Sequence, residues 1–206
     1  MRRLLSFHAL LVYLFLYLPI LVVVALSFNE SRRGVHFTGF TLKWYQGLFQ
    51  DPRVLEYFAN TLVVALVSTL VSTVLGTLLA LGLVRYRFPG KGFLRYLLYV
   101  PVVVPDVVMG VSLLLLFAFS RELLGFPRLS LLTVILGHIT FQVAFVTLVV
   151  RSRLLLLDPA LEEAARDLGA RGCQTFLHVT LPLAWPGVAA GALLALTLSL
   201  DDFVVT

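Results

Sequence analysis

Five long runs nearly free of charged residues constrain this chain more than any other feature. They span residues 9–27, 60–84, 96–120, 129–150 and 186–206, and each contains 19 to 25 residues. A helix needs about 20 predominantly apolar residues to cross a bilayer. A membrane β-barrel would need many short alternating strands, and the sequence lacks that pattern. We therefore predict an all-α fold, a polytopic transmembrane helical bundle with five spans.

Composition agrees with a membrane protein that has one domain, residues 1–206. Of 206 residues, 60% are hydrophobic and 13% are charged, whereas soluble domains carry about 25% charged residues. The single Cys173 excludes an internal disulfide and offers no thiol pair for metal or redox chemistry. The first run follows Arg2 and Arg3 as in a signal peptide, but it is long and no A-x-A site follows. We interpret it as a retained first helix.

The basic residues are distributed unevenly between the two sides of the predicted bundle. If the N-terminus is cytoplasmic, ten Lys and Arg residues lie inside and six lie outside. The loop 85–95 alone carries four of them, and such charge beside a membrane end orients a protein with that end in the cytoplasm. The net charge of +5 is therefore interpreted as a topology signal rather than as a nucleic-acid surface. The loop 151–185 then faces the cytoplasm.

A polar stretch, residues 158–182, separates the last two runs. Asp158 suits a helix N-cap, and Gly169 suits the cap at the other end. An apolar stripe at helical spacing lies between them, and it consists of Leu161, Ala164, Ala165 and Leu168. A second short helix is predicted over 173–179, with Pro182 ending it. The result is a small knob outside the bilayer that suits docking into a groove of a soluble partner.

The motif in this stretch resembles the cytoplasmic loop of ABC importer permeases. That signature is Glu-Ala-Ala, three residues, Gly, nine residues, Ile, one residue, Leu-Pro. Here the same spacing joins the following residues, with Val in place of Ile: Glu163, Ala164, Ala165, Gly169, Val179, Leu181 and Pro182. The resemblance implies a coupling helix that sits in a cleft of an ATP-hydrolysing subunit. The alternative is an ordinary amphipathic helix on the membrane surface.

The resemblance also implies partners and a location. The partners are ABC ATPase subunits, a second permease subunit, an extracytoplasmic substrate-binding protein and the lipid bilayer. The location is the inner membrane of a prokaryote. The chain has no GxxxxGK[ST] sequence, so we expect the partner ATPase to use ATP and this chain to bind no cofactor and to have no catalytic residue. Such permeases have six spans, so we expect a sixth beyond Thr206 and a chain that is a fragment or a truncated gene product.

Four further segments narrow the resemblance to the second permease of spermidine/putrescine importers. They are residues 40–45, 85–88, 105–109 and 199–205. This resemblance implies a flexible polyamine cation as the cargo. Related permeases carry ferric ion, thiamine, phosphonate or sulfate, and these cargoes remain alternatives. A sulfate pathway fits least well, because the spans contain aspartates and offer no basic residue as a partner for an anion.

Three carboxylates fall inside the predicted spans. Asp106 lies in the third run, and Asp201 and Asp202 lie in the fifth. A carboxylate at the bilayer centre costs at least ~2.5 kcal/mol, so we predict that these residues face protein, water or a cationic cargo along a substrate pathway. The alternative for Asp106 is a helix cap at the interface. Adjacent carboxylates point about 100° apart on a helix, so one can line a pathway while the other pairs elsewhere.

Small residues recur every fourth position in two spans. Such stripes let membrane helices approach closely, and they consist of Ser68, Ser72, Gly76 and Ala80 in the second span and Gly187, Gly191, Ala195 and Ser199 in the fifth. Packing within the chain is the favoured interpretation, and a seam with a second permease is the alternative. Prolines in the first and third spans are expected to bend them.

Two other classes of function compete with an importer. A secondary transporter or channel also places carboxylates in spans, but it does not require the signature loop. A membrane enzyme is disfavoured because His138 and His178 are isolated and lack metal-ligand spacing such as HExxH. We expect no metal site, and we expect His138 to form a hydrogen bond with a neighbouring helix.

Overall fold

Helices make up the described architecture. The computed structural model describes residues 2–31, 36–125 and 127–202. Five of its helices are long and apolar enough to cross a membrane, so the predicted all-α bundle with five spans is confirmed. In chain order the elements are α1 (Arg2–Ser27), α2 (Lys43–Gln50), α3 (Pro52–Arg85), α4 (Lys91–Leu97), α5 (Val100–Val103), α6 (Asp106–Leu124), α7 (Leu131–Leu155), α8 (Ala160–Asp167), α9 (Gly172–Thr175), a π-helical segment (Phe176–Thr180) and α10 (Leu181–Asp201).

The chain divides into two compact units, and the first is Met1–Phe58. After α1 the chain turns back on itself, and the ring of Phe28 stacks on those of Phe40 and Tyr45, with centroids 5.4 Å apart in each pair. Asn29 is fully buried, and its carbonyl oxygen accepts a 2.8 Å hydrogen bond from the Trp44 indole. These contacts place the short helix α2 directly after the turn.

The second unit, Ala59–Thr206, is organised around α7. A Cβ atom added to Gly76 on α3 would lie 2.7 Å from the Val146 Cβ, and one on Gly191 of α10 would lie 3.3 Å from its Cγ1. One added to Gly187 would lie 2.5 Å from the Cβ of Arg153. Both small-residue stripes therefore lie against α7, and the interpretation of packing within the chain is confirmed.

Apolar side chains fill the contacts that the small residues permit. One cluster joins α3, α7 and α10, and it contains Ala80, Val146, Val150, Leu154, Ala184, Val188 and Ala195. A smaller cluster joins Leu83, Leu98 and Ala144. Because lipid tails are as apolar as these side chains, close packing rather than removal from water is the main gain.

The third span differs from the prediction. It begins at Asp106, whereas the uncharged run begins at residue 96. Val104 adopts an extended conformation with ψ of 130°, as the residue before a proline commonly does. Pro101 lies in the first turn of the short helix α5. Pro101 and Pro105 therefore divide this region into separate helices, whereas we had expected them to bend a single helix.

The prediction that Pro182 ends a short helix is wrong. The chain is helical without a break from Gly172 to Asp201. At Phe176–Thr180 the turn widens, and the Leu181 N–H donates to the carbonyl of Phe176, five residues back. A proline has no N–H, and its ring clashes with the carbonyl four residues back in a regular helix. The wider turn accommodates Pro182, and the fifth span consequently begins before residue 186.

Candidate functional site

Hydrogen bonds cap the loop helix α8 at both ends. The Asp158 Oδ1 accepts a 3.0 Å hydrogen bond from the Ala160 N–H, which is the capping contact expected of Asp158, but the helix begins one residue later than predicted, with Pro159 at the N-cap. Gly169 has a φ of +88° and its N–H donates to the Arg166 carbonyl, while the next N–H donates to the carbonyl of Ala165. This is the Schellman arrangement, in which a left-handed residue favours glycine. The predicted C-terminal cap is therefore confirmed.

Most of the apolar stripe of α8 is exposed in the part of the chain that the structure describes. Leu161 is 48% exposed and Leu168 is 90% exposed. The signature residues have varied exposure: Glu163, Ala164, Gly169 and Pro182 are exposed, and Ala165 and Leu181 are half-buried. The helix therefore presents an accessible apolar and acidic surface. Its role in coupling stays a prediction.

Glu162 has the opposite orientation, which the sequence did not indicate. It lies on the face of α8 opposite the apolar stripe, and it is 7% exposed. Its Oε1 lies 3.0 Å from the Arg85 Nε and accepts a 3.0 Å hydrogen bond from the Thr180 hydroxyl. Arg85 ends α3, and Thr180 directly precedes α10. One carboxylate thus joins the loop helix to the ends of two spans.

A second group of polar residues lies between the spans, and we name it the intramembrane network. It contains Ser68 and Ser72 of α3, His138 and Gln142 of α7, and Ser199 and Asp202 near the end of α10. The Gln142 Nε2 donates to the Ser68 hydroxyl and to the Ala195 carbonyl, each at 3.2 Å, and its Oε1 accepts a 3.0 Å bond from Ser72. Gln142 therefore links three helices, because a buried amide in lipid must find partners.

His138 continues this network towards the end of α10. Its Nδ1 lies 2.7 Å from the Ser199 hydroxyl, and its Nε2 lies 3.3 Å from the Asp202 Oδ2. The expected hydrogen bond to a neighbouring helix is confirmed. His178 is exposed, with its Nδ1 3.0 Å from the carbonyl of Gln174. No group of three or more potential metal-binding side chains was found among the residues that the structure describes.

The three aspartates have different surroundings. Asp106 is the first residue of α6 and is exposed, so it lies at the start of the third candidate span. Asp201 is exposed, whereas the Asp202 side chain is 9% exposed and faces His138. The two adjacent carboxylates therefore diverge, but not for the predicted reason, because Asp202 lies just beyond the end of α10 in an extended conformation with ψ of 120°. Their role in a pathway stays a prediction.

The residues that sequence reasoning missed had only weak signals. Gln142 stands out as an amide in an otherwise apolar run, which marks an intramembrane polar contact. Arg85 had been interpreted only as a topology determinant. Glu162 lies opposite the apolar stripe, and the usual rule that apolar residues face inward would place it in solvent. That rule fails for α8, whose apolar stripe is exposed.

Comparison with known proteins gives consistent results. Residues 72–206 match the family described as binding-protein-dependent transport system inner membrane component. The spermidine/putrescine transport system permease protein PotC of Escherichia coli K12 is 43% identical over 195 residues, which cover 95% of this chain and 72% of that protein. The putrescine transport system permease protein PotI of the same strain is 41% identical, over 95% of this chain and 70% of that protein.

A solved structure has the same fold. It is the crystal structure of a bacterial ABC transporter involved in the import of the acidic polysaccharide alginate. The match has a TM-score of 0.74 and covers 97% of this chain and 74% of the compared chain. At 19% identity, it establishes the helical architecture alone.

Proposed function

The chain belongs to the family of binding-protein-dependent transport system inner membrane components, and on this basis we propose that it forms the membrane pathway for a polyamine cation. It is a permease subunit of an ABC importer. The family is a transport family rather than an enzyme family, and it implies an ATPase and a substrate-binding protein as partners. The assignment of a polyamine as the cargo goes beyond membership of the family, and it rests on one observation.

That observation is the extent of the likeness to polyamine permeases. The 43% identity to the spermidine/putrescine protein extends over 95% of this chain, and it includes the spans as well as the loop. Identity over the loop alone would support only a shared ATPase partner. Identity over the spans supports a shared pathway, because the spans line whatever the cargo crosses.

The acidic residues give the proposal a chemical rationale. Asp106 and Asp201 are exposed carboxylates at helix ends, and exposed carboxylates attract an ammonium group. We assign them, with Asp202, to the pathway. Because Asp202 already faces His138, a cation reaching it must compete with that contact. We therefore expect Asp202 to contribute less to cargo binding than Asp106 or Asp201.

The loop 151–185 is proposed to connect this pathway with the ATPase. In this arrangement the N-terminus is cytoplasmic, α8 docks by its exposed stripe, and Glu163, Ala164, Ala165, Gly169, Leu181 and Pro182 form the coupling site. A second permease subunit completes the pathway. ATP binds to the partner ATPase, and this chain binds no cofactor. Closure of the ATPase subunits moves α8 as a rigid body and switches the access of the pathway between the two sides.

Uptake of radiolabelled putrescine and spermidine by the reconstituted complex tests the cargo. We expect ATP-dependent uptake that unlabelled polyamine competes away and that ferric ion, thiamine and phosphonate do not. Asp201→Asn should lower uptake about tenfold or more, the equivalent of roughly 1.4 kcal/mol of lost cation attraction. Glu122→Gln, an exposed acid in the last turn of α6, is the matched control.

Two results would count against the proposal in different ways. Competition by one of the other solutes instead of polyamine would show that the cargo is a different solute, and the assignment as a permease would still stand. Polyamine uptake that continues without any ATPase would indicate a secondary transporter. Unchanged uptake in Asp106→Asn, Asp201→Asn and Asp202→Asn would remove the role of the aspartates alone.

A further inference from the structure

We infer that Glu162 is a positioning residue that ties the coupling helix α8 to the ends of α3 and α10, so that movement of the loop reaches both spans. This inference rests on the proposed docking of α8 to an ATPase. It concerns a residue outside the signature motif, since Glu162 precedes Glu163. We name the contact between Glu162, Arg85 and Thr180 the Glu162 anchor.

The geometry of the anchor is specific. Arg85 and Thr180 converge on the same oxygen, Oε1, each at 3.0 Å. The side chains of Arg85 and Glu162 are 17% and 10% exposed. The other oxygen, Oε2, lies 3.9 Å from Arg166 on the next turn of α8, whose side chain is 60% exposed. The partly buried contact between elements therefore outweighs the solvated contact within the helix, because water screens the latter.

Apolar packing does not provide an equivalent attachment. Leu161 of α8 and Leu168, which directly follows the helix, are its large apolar residues, and both are exposed. The helix has only eight residues, and isolated helices shorter than about 12 residues are marginal. Its position relative to the spans must therefore come from specific contacts, and Glu162 is its one buried residue.

The anchor also leaves Arg85 dependent on Glu162. The Nη2 atom of Arg85 is buried and makes no hydrogen bond within the described residues. Removing the carboxylate would leave a poorly solvated guanidinium without its ionic partner, a situation that destabilises the local arrangement more strongly than the pair itself stabilises it. Loss of Glu162 should therefore release α8 from α3 instead of weakening the contact slightly.

The test is Glu162→Gln in the complete complex with its ATPase and binding protein. This substitution removes the charge at nearly constant volume, and it should lower the amount of cargo transported per ATP hydrolysed about tenfold. Mutations that alter the coupling between distant sites typically change it by roughly 2- to 30-fold. Basal ATP hydrolysis and complex assembly should stay near the wild-type level. Arg85→Gln should have a similar effect, and Arg166→Gln should remain within about twofold because its contact is solvated.

Conservative and compensating variants separate positioning from simple loss of structure. Arg85→Lys keeps the charge and should retain most of the coupling ratio, which is the amount of cargo transported per ATP hydrolysed. The swap of Glu162→Arg with Arg85→Glu should restore the ratio to within about threefold, because the threonine hydroxyl can both donate and accept. If the charge variants fail to assemble, Thr180→Val removes one hydrogen bond at similar volume and should lower the ratio about threefold.

An unchanged ratio in assembled Glu162→Gln, or in Thr180→Val where only that variant assembles, would overturn the inference. The result can be distinguished from failure of the proposed cargo. If the wild-type complex does not move polyamine, stimulation of ATP hydrolysis by the binding protein replaces transport as the readout. Loss of stimulation in Glu162→Gln would then support the anchor, and full stimulation would refute it.

Discussion

Helices α6 and α7 are both long and apolar enough to span a membrane, yet they differ in how they pack. In α6, all of whose residues are described, Leu113 is the one buried residue. In α7, nine residues are buried, and five of these are polar or glycine: Thr133, Gly137, His138, Gln142 and Thr147. Apolarity therefore indicates that a helix inserts, whereas small and polar residues indicate that it packs against other helices.

The physical reason lies in the solvent. A leucine on α6 gains nothing by leaving lipid for another leucine, so apolar side chains alone do not select a partner helix. Gln142 behaves differently, since its amide is unsatisfied in lipid and is satisfied by Ser68, Ser72 and Ala195. Glycines such as Gly76 add selectivity by allowing close approach. The contrast between α6 and α7 can be tested by substitution.

Removal of a buried leucine from α7 should have the largest effect. Leu154 is 2% exposed and belongs to the main core cluster, so Leu154→Ala leaves a cavity and should lower the free energy of unfolding by about 2 to 5 kcal/mol. Leu115 of α6 is 63% exposed, and Leu115→Ala should change stability by less than about 0.5 kcal/mol. Equilibrium unfolding in mixed micelles measures both. Equal losses of unfolding free energy in the two variants would contradict the proposed difference in packing between α6 and α7.

Overpacking against α7 should have the next largest effect. Gly76→Ala places a methyl group 2.7 Å from the Val146 Cβ, and the resulting shift should cost about 1 to 3 kcal/mol. Gly82 lies on the same helix with nothing within 4 Å of an added Cβ, so Gly82→Ala should be neutral or stabilising by up to about 1 kcal/mol. Thermal denaturation of the purified protein compares them. A stable Gly76→Ala variant would show that α3 is not held against α7.

Loss of the central amide should have the smallest of the three effects. Gln142→Leu removes the three hydrogen bonds that the amide makes with Ser68, Ser72 and the Ala195 carbonyl. At ~0.6 kcal/mol for each hydrogen bond in a membrane protein, the loss should be just under about 2 kcal/mol. Ser112→Ala on the exposed face of α6 is the control and should be close to neutral. The same micelle unfolding assay applies, and similar stability of the two variants would exclude Gln142 as a link between helices.

Much of this architecture could be predicted from the sequence because membrane insertion depends on local composition. The five spans, the Gly169 cap and both small-residue stripes follow from short patterns. The break at Val104, the π-helical segment before Pro182 and the inward orientation of Glu162 could not be predicted in this way. The orientation of Glu162 depends on which neighbour occupies the space around it, and the presence of a proline does not specify whether a helix bends, widens or breaks. A helical pattern alone does not tell an acid facing solvent from an acid facing Arg85.

The cytoplasmic position of the coupling loop is the central claim, and Cys173 offers a direct test of it. This residue is the chain's single cysteine, it lies in α9 of the loop, and it is exposed. A membrane-impermeant maleimide should label it in inside-out vesicles and leave it unlabelled in intact spheroplasts, with Cys173→Ser as the background control. Labelling from the outside of intact spheroplasts would place the loop beyond the reach of any cytoplasmic ATPase and would contradict the account.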